Sequence, residues 1–504
     1  MARLRAGEGV LRRKPIEQIT EAVSLTKGSS GTQLARTLGL WQLTAIGVGG
    51  IIGAGIFALA GTVANGTAGP AVLISFLIAG VASAAAALSY AEFAGLIPKA
   101  GSAYTYGYAV LGELVGWCIG WDLLLEYTAI VAVVAIGISG YFSFLLGDMG
   151  IELPAWMLGA PGTGDGHRVD LIAAMLCLLI AYLLNLGIKN AARFETVVVV
   201  LKVLVVLLVI GVGLFHVHTH NFHPYFPYGM SGAFTGAATV FFAVFGYDAM
   251  STAAEESKDA QRHMPKAIIY SLVIAMVLYV LVCLVLTGMQ NYQEIDKESG
   301  LSTAFKSVGL GGLADVIAVG AIIGILTVMF TFMLGVTRVW YAMSRDGLLP
   351  KWFAKTHPTR QVPTRVTWIA GGASALIAGL LPIAEAAELT NIGILLAFVV
   401  VCLAVIVLRY RRPDLPRSFR TPGMPVVPAI GVVFSLWLIT FLQRETWVRF
   451  AVWFAIGLLL YFGYSRHRSL LATPPAKGGA GADADEGPGR DTGDDSGGIV
   501  DAPR

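Results

Sequence analysis

Long apolar runs separated by short polar stretches make up most of the chain. A helix needs about 20 mainly apolar residues to cross the hydrocarbon core of a bilayer. Twelve runs reach or approach this length, at residues 41–64, 71–97, 110–146, 169–188, 194–216, 232–254, 266–289, 313–343, 366–382, 385–408, 427–443 and 447–464. The pattern predicts an all-α integral membrane protein with twelve transmembrane helices.

Composition supports a membrane protein and excludes several other classes. Of the 504 residues, 56% are hydrophobic and 13% are charged, whereas soluble domains carry about 25% charged residues. The four cysteines lie in apolar runs, which indicates small hydrophobic residues and not a disulfide framework or a zinc motif. The 35 basic and 32 acidic residues form no concentrated basic footprint, so we expect no nucleic-acid partner.

The basic residues also predict an orientation. If both termini are cytoplasmic, 28 Lys and Arg residues lie on the cytoplasmic side, five lie outside, and two, Lys202 and Arg338, lie within predicted helices. An excess of Lys and Arg marks the cytoplasmic side of a membrane protein. Residues 1–40 are polar and basic, which does not fit a secretory signal peptide. We expect a multi-pass protein of the plasma (inner) membrane with both termini cytoplasmic.

The order of the runs predicts two repeats with terminal additions. The predicted units are a cytoplasmic N-terminal segment (1–40), a first five-helix repeat (41–216), an extracellular connection (217–231), a second five-helix repeat (232–408), a cytoplasmic loop with two further helices (409–468) and a cytoplasmic tail (469–504). An odd number of helices per repeat inverts the second repeat relative to the first. The tail is expected to be disordered, because it has almost no bulky apolar residues to bury.

Each repeat opens with a glycine-containing helix. The first opener reads Gly-Val-Gly-Gly-Ile-Ile-Gly-Ala-Gly-Ile-Phe at residues 47–57. Small residues allow close packing of intact membrane helices, but each glycine also destabilises a helix by about 0.5 to 1 kcal/mol. If the helix unwinds near Gly53 to Gly55, its freed N–H groups would bind a carboxylate. The neighbouring freed carbonyls would bind an ammonium, so one break would hold an α-amino acid zwitterion.

The second opener, at residues 240–249, places Gly246 among aromatic residues. An aromatic stripe often packs against lipid or core, but the matching position in the second repeat favours a binding wall. Discontinuous helices at matching positions of inverted repeats indicate a midplane substrate site in a secondary transporter. Helices 1 and 6 are therefore predicted to be discontinuous. Asp248 is either a structural acid near this break or part of a proton relay with Glu126 and water.

Five ordered motifs make the chain resemble a known family. They are the first opener, Pro-Lys-Ala-Gly-Ser-Ala-Tyr at 98–104, Leu-Glu-Tyr at 125–127, Phe-Phe-Ala-Val-Phe-Gly-Tyr-Asp at 241–248 and Ala-Met-Ser-Arg-Asp-Gly-Leu-Leu-Pro at 342–350. On these motifs, residues 14–468 resemble amino-acid permeases of the amino acid-polyamine-organocation (APC) superfamily, close to its bacterial cationic amino acid transporter (CAT) branch. The resemblance implies a LeuT-like inverted repeat of five plus five helices, and proton-driven uptake or exchange of amino acids.

The resemblance also implies a substrate site. Its residues are Ile51, Gly53, Ala54, Gly55, Ile56, Phe242, Phe245 and Phe332. Backbone amides of residues 54–56 would receive the substrate carboxylate, and the carbonyls of Ile51, Phe242 and Phe245 would receive its α-amino group. Phe242 would also cover the pocket as an aromatic gate. Phe332 would fill the space that a long basic side chain needs, which favours neutral amino acids of small or medium size.

Two charged residues within predicted helices are candidates for proton coupling. A lysine at the bilayer centre costs about 2.5 to 3.5 kcal/mol, so Lys202 should face protein or water, unless it snorkels to the helix end. In the proton-coupled members that the chain resembles, this lysine stands where sodium-coupled relatives bind a cation, and it would tie the fifth helix to the broken first helix. Glu126 is either a structural acid or a proton carrier beside the pocket.

Together these features predict a proton-coupled secondary transporter of amino acids that works by alternating access. Its expected partners are the amino-acid substrate, protons and the lipid bilayer, and a small membrane accessory subunit is left open. Exchange of amino acids, transport of cationic amino acids and, in a different class, amino-acid sensing through the acidic tail are the alternatives.

Enzymatic chemistry finds no support in the sequence. It contains no nucleophile-base pair, metal motif or phosphate-binding loop, so neither an enzyme nor a cofactor is predicted. Four histidines, at 216, 218, 220 and 223, invite a metal interpretation. They lack a second motif, which favours a solvated or pH-sensitive extracellular loop.

Overall fold

The chain folds as an all-helical protein in the computed structural model, which describes residues 38–97, 102–186, 191–251, 257–355 and 363–469. Within these ranges no β-sheet forms, and the extended segments pair only at two isolated β-bridges. The predicted disordered tail beyond Ser469, the N-terminal segment before Leu38 and the Pro98–Gly101 part of one motif lie outside the described residues.

Within the described ranges, twelve helices have at least ten residues, and we number them α1 to α12. Their bounds are Leu40–Ile51, Val72–Leu96, Glu113–Asp148, Leu171–Leu186, Ala191–Gly213, Gly229–Val240, Ala260–Met289, Gly311–Arg345, Thr364–Leu380, Ile383–Arg411, Val426–Ile439 and Arg444–Leu460. Seven helical stretches of the described residues are long and apolar enough to cross a membrane, and four shorter apolar helices accompany them. The architecture is that of an all-helical, multi-pass membrane protein.

Two helices of nine and eight residues lie between predicted apolar runs, the first of them ending at the start of the third run. Ser102–Val110 precedes α3, and Gly300–Ser307 precedes α8. The third apolar run was expected to be helical from residue 110, but α3 begins at Glu113. Gly112 adopts φ 114°, a conformation open to glycine and disfavoured for other residues, and it separates the short helix from α3.

Helix α3 forms the centre of the bundle. It packs along α8 and α10, while α7 packs along α2 and α1. Residues 129–135 of α3 are fully buried, and all are apolar. A helix that is apolar on every side belongs in a protein core or a membrane, and α3 is enclosed by other helices. This position brings its polar residues to the middle of the bundle.

Candidate functional site

The first helix of the bundle is interrupted at its glycine cluster. Helix α1 ends at Ile51, and Ile52 is extended (φ −72°, ψ 106°). Helical turns of wider diameter resume at Gly55. In the described part of the chain, the Ile56 amide donates to the Gly53 carbonyl at 3.2 Å, whereas the amides of residues 53–55 have no backbone acceptor. The break therefore exposes three donors at the start of a helical segment, where the backbone dipole favours an anion.

The second glycine-containing opener is also interrupted. Helix α6 ends at Val240 and continues as one tight 3₁₀ turn, Phe241–Val244. Phe245 is extended (φ −101°, ψ 165°) and Gly246 has φ 129°, a value that only glycine adopts readily. A short helix, Tyr247–Ser251, follows.

The two breaks touch each other through their backbones. A Cβ atom added to Gly246 would lie 2.6 Å from the Gly50 carbonyl oxygen, and one added to Gly50 would lie 2.9 Å from the Gly246 carbonyl oxygen. A Cβ atom on Gly55 would lie 2.2 Å from the Cβ of Ala243. Positions 50, 55 and 246 have no room for a side chain, so these glycines explain how two interrupted helices can meet inside the bundle.

Two polar side chains from other helices bind the backbones at the breaks. The Tyr279 hydroxyl of α7 lies 2.7 Å from the Ile51 carbonyl oxygen and 2.9 Å from that of Ala243, so it links both interrupted segments. The Asn391 amide of α10 donates to the Ala238 and Thr239 carbonyls at 2.7 and 2.8 Å. These bonds satisfy carbonyl groups that have lost their helical partners.

Lys202 of α5 is fully buried beside the first break. Its ammonium donates to the Ile52 carbonyl at 2.8 Å and also to the Gly49 carbonyl. Gly324 of α8 lies directly against the lysine stem, because a Cβ there would come within 2.8 Å of the Lys202 Cβ. The lysine thus faces the protein interior and fastens α5 to the unwound end of α1.

Two acids lie near the second break. Asp248 is fully buried and accepts a hydrogen bond from the Tyr127 hydroxyl of α3. Glu126, the preceding residue on α3, is also fully buried, and neither of its carboxyl oxygens has a hydrogen-bond partner among the described residues. A charged carboxylate without partners is costly in a low-dielectric interior, so Glu126 is a group for which a proton, a cation or a water would be a favourable partner.

The aromatic residues of the predicted site are buried around these groups. Phe242 and Phe245 are 6% and 3% exposed, and the Phe245 amide donates to the Phe242 carbonyl at 3.3 Å. The Phe332 ring of α8 is 3% exposed and makes an edge-to-face contact with Tyr127, with ring centroids 5.3 Å apart. The Phe332 ring therefore lies against the helix that carries Glu126.

Comparison with known proteins identifies the family. A family model described as "Amino acid permease" matches residues 38–462, which is most of the chain and includes both interrupted helices. The chain belongs to the amino acid permease family. The resemblance to APC permeases seen in the motifs is confirmed.

Individual relatives cover nearly the whole permease. A "Methylthioribose transporter" of Bacillus subtilis is 46% identical over 92% of this chain and 99% of its own length. "Branched-chain amino acid permease BcaP" of the same organism is 47% identical, with the same coverage. "Cationic amino acid transporter 4, vacuolar" of Arabidopsis thaliana is 37% identical over 80% of this chain and 68% of its own length.

The structure of the permease brings most of the predicted site residues together at the two breaks. Two of the three carbonyls named for the substrate amino group, those of Ile51 and Phe242, already accept one hydrogen bond, but a carbonyl oxygen has two lone pairs and can accept a second. The Ile56 amide is engaged with Gly53, which leaves the amides of Ala54 and Gly55 as the predicted carboxylate donors.

Three residues of this region were missed in the sequence. Tyr279 and Asn391 were overlooked, although a polar side chain within a long apolar run was a usable signal. Asp122 was overlooked as well. It lies one helical turn before Glu126, is 3% exposed, and has one carboxyl oxygen without a partner among the described residues.

The four histidines at 216, 218, 220 and 223 lie on the segment that follows α5. The His218 and His220 rings are 5.7 Å apart between centroids, and the His216 ring nitrogen lies 3.1 Å from the Val212 carbonyl oxygen. In the described residues, no three His, Cys, Asp or Glu side chains are grouped so that they could hold a metal ion.

Proposed function

We propose that this permease is a proton-coupled amino-acid transporter that works by alternating access around its two interrupted helices. The observation that carries the proposal is the backbone contact between these helices, which has free amides on one side and the Lys202 ammonium on the other. The predicted inverted repeat, with twelve crossings of the plasma membrane and both termini cytoplasmic, is part of the same proposal.

The substrate would bind mainly to backbone groups. Its carboxylate would accept hydrogen bonds from the amides of Ala54 and Gly55, at the positive end of a helical segment. Its ammonium would donate to the Ile51, Phe242 and Phe245 carbonyls. Charge-assisted hydrogen bonds are worth about 1.5 to 3 kcal/mol each, so both ends of the zwitterion contribute specificity. Phe242 would cover the bound amino acid as the gate.

Lys202 would couple protons to helix movement. When protonated, its ammonium holds the unwound backbone through the Gly49 and Ile52 carbonyls. Loss of a proton would remove the positive charge and weaken these bonds, which would let the first helix move relative to α5. Glu126 and Asp248, both fully buried near the second break, would carry protons there.

Several features support neutral amino acids as the substrates. The bulk of Phe332 beside Tyr127 limits the room for a long side chain, and one relative is named a branched-chain amino acid permease. The unpartnered Glu126 favours a competing assignment, because it could bind the side-chain charge of a cationic amino acid. Methylthioribose, named for another relative, lacks both charged groups of the zwitterion.

Uptake into proteoliposomes tests the proposal. Purified permease should accumulate radiolabelled leucine when the outside is acidic, and Lys202→Ala should reduce this gradient-driven accumulation at least about tenfold while the protein still folds. Lys306→Ala, at an exposed position in a surface ion pair with Asp148, is the matched control. Accumulation that ignores the pH gradient in the wild-type protein, or survives in Lys202→Ala, would refute the coupling scheme.

Two further arms separate the alternatives. An obligate exchanger takes up label only when the vesicles are preloaded with amino acid, whereas a symporter needs no internal substrate. Deletion of residues 473–504 should leave transport intact in a carrier, but should abolish signalling output in a sensor. Competition by arginine, leucine and methylthioribose then fixes the substrate class.

A further inference from the structure

Helix α3 carries a second buried acid on the same side as Glu126. Asp122 precedes Glu126 by four residues, and residues at this spacing are neighbours on one helix face, with Cβ atoms about 5 to 6 Å apart. Asp122 is 3% exposed and Glu126 is fully buried. Both have carboxyl oxygens that lack a hydrogen-bond partner among the described residues. The two acids thus form an incompletely satisfied pair inside the bundle.

The opposing helix makes room for Asp122. A Cβ atom added to Gly393 of α10 would lie 2.7 Å from the Asp122 Oδ1 and 3.4 Å from its Oδ2. Any side chain at position 393 would therefore compete with the carboxylate for space. The Asp122 carboxylate occupies the space that a side chain at position 393 would take, and its Oδ1 has no hydrogen-bond partner among the described residues, which fits a group that binds a proton.

The two acids differ in their neighbours and in their exposure. Asp248 and Asp122 interact electrostatically with Glu126, as Glu126 does with Tyr90 of α2 and Asp122 with Cys118. Asp122 is 3% exposed to solvent, whereas Glu126 is 0% exposed. Asp122 is also the acid closer to the start of α3.

The start of α3 lies on the cytoplasmic side in the proposed orientation. Glu113, its first residue, is buried and accepts hydrogen bonds from Ser469 at 2.6 Å and from Tyr461 at 3.2 Å. Asp122 therefore lies one turn nearer to the cytoplasmic end than Glu126. A proton that moves from Glu126 to Asp122 would move inward.

We propose that Asp122 is the proton acceptor that relays the proton from Glu126 towards the cytoplasm. The inference rests on the proposed proton coupling. The Glu126 carboxyl gives its proton to a bridging water, and that water gives another proton to the Asp122 carboxylate. Negative charge therefore shifts from Asp122 to Glu126, and no net charge is created. Asp122 then releases its proton to cytoplasmic water, which restores the acceptor.

Two assays on the same proteoliposomes test the relay. One measures leucine accumulation and vesicle acidification under an inward proton gradient, and the other measures leucine exchange at equal pH. Asp122→Asn should lower gradient-driven accumulation and acidification at least about tenfold more than it lowers exchange. Gly393→Ala should give the same imbalance, because its methyl group displaces the carboxylate. Asp122→Glu should restore part of the accumulation, and Asp165→Asn in an exposed loop is the matched control.

The outcomes are distinguishable. Wild-type-like accumulation in Asp122→Asn, or equal losses in both assays for Asp122→Asn and Asp122→Glu, would overturn the relay and assign Asp122 a structural role. If the wild-type protein itself shows no acidification or gradient-driven uptake, the proposed function fails first, and the relay fails with it.

Discussion

Gly246 and Gly50 meet so closely that a methyl group on either would overlap the other's backbone. The added Cβ of Gly246 would lie 2.6 Å from the Gly50 carbonyl oxygen and 2.9 Å from the Ile51 amide nitrogen. This contact joins the unwound end of α1 to the break after α6. The substrate site that we propose exists only if this approach is maintained.

Gly246→Ala should therefore disrupt the site. The substitution adds an overlap with backbone atoms that cannot rotate away, and it places a side chain at φ 129°, a strain of about 1 to 3 kcal/mol. We expect a lower melting temperature and loss of leucine transport. Fluorescence-monitored melting and vesicle uptake measure the two effects.

Gly211→Ala in α5 is the control for this substitution. No atom lies within 4 Å of its added Cβ, and alanine is the better helix former by about 0.5 to 1 kcal/mol. Its stability should be unchanged or higher. If Gly246→Ala melts and transports like Gly211→Ala, the close approach of the two breaks is wrong.

Tyr279→Phe should loosen the link between the breaks. The substitution removes the hydroxyl that lies against the Ile51 and Ala243 carbonyls but keeps the buried ring. One lost hydrogen bond should cost about 1 kcal/mol and weaken leucine binding several-fold. Binding titrations with Tyr270→Phe, whose ring is 41% exposed, as the control measure the change. Equal affinities in both variants would remove Tyr279 from the site.

The loop between α7 and α8 that carries Glu298 should respond to pH. Burial, together with nearby Asp170 and Asp296, raises the pKa of Glu298 from 4.5 to about 8, against the opposing effect of Lys297. Because the pKa is raised in the packed loop, packing is most stable below about pH 4.5. This stability is lost as the pH rises towards 8. The loop should therefore open more readily at alkaline pH.

Hydrogen exchange of residues 293–300 measures this opening, after correction for intrinsic rates. Protection should fall between pH 5 and pH 8.5 in the wild-type protein. Glu298→Gln should keep the protection nearly constant, whereas Glu294→Gln, at an exposed position, should retain the pH dependence. A wild-type loop with pH-independent protection would refute the prediction.

Phe332→Ala should widen the range of substrates. Removing the ring opens space beside Tyr127, at a cost of about 3 to 5 kcal/mol in stability. Arginine should then inhibit leucine uptake more strongly than in the wild-type protein. Phe330 lies two residues before Phe332 on α8, on a different face of the helix, and is partly buried. Phe330→Ala therefore controls for the loss of a ring. Unchanged arginine inhibition would argue against Phe332 as a limit on side-chain length.

The sequence was informative where local chemistry decides the structure. Helices follow the apolar runs, and both interruptions lie at glycines, since glycine reduces helix stability and permits the backbone at Gly246. Lys202 could be placed inside the bundle, because an apolar run on both sides makes its exposure to lipid costly.

Contacts between residues that are far apart in the chain could not be predicted from the sequence. Tyr279 contacts a carbonyl 228 residues away, and Asn391 contacts carbonyls more than 150 residues away. A single sequence contains no record of which helix face meets which backbone. The burial of Asp122 could not be predicted from the sequence either, because the space that its carboxylate occupies depends on Gly393 of α10, which is distant in the sequence.

Binding of leucine and two truncated analogues tests the central claim most directly. The measurement is isothermal titration of the purified permease with leucine, 4-methylpentanoate and 3-methylbutylamine. The second ligand lacks only the amino group of leucine, and the third lacks only its carboxyl group. If the breaks hold a zwitterion through backbone groups, leucine should bind and each analogue should bind about 100-fold more weakly, since charge-assisted hydrogen bonds are lost. An analogue that binds as tightly as leucine would contradict the account.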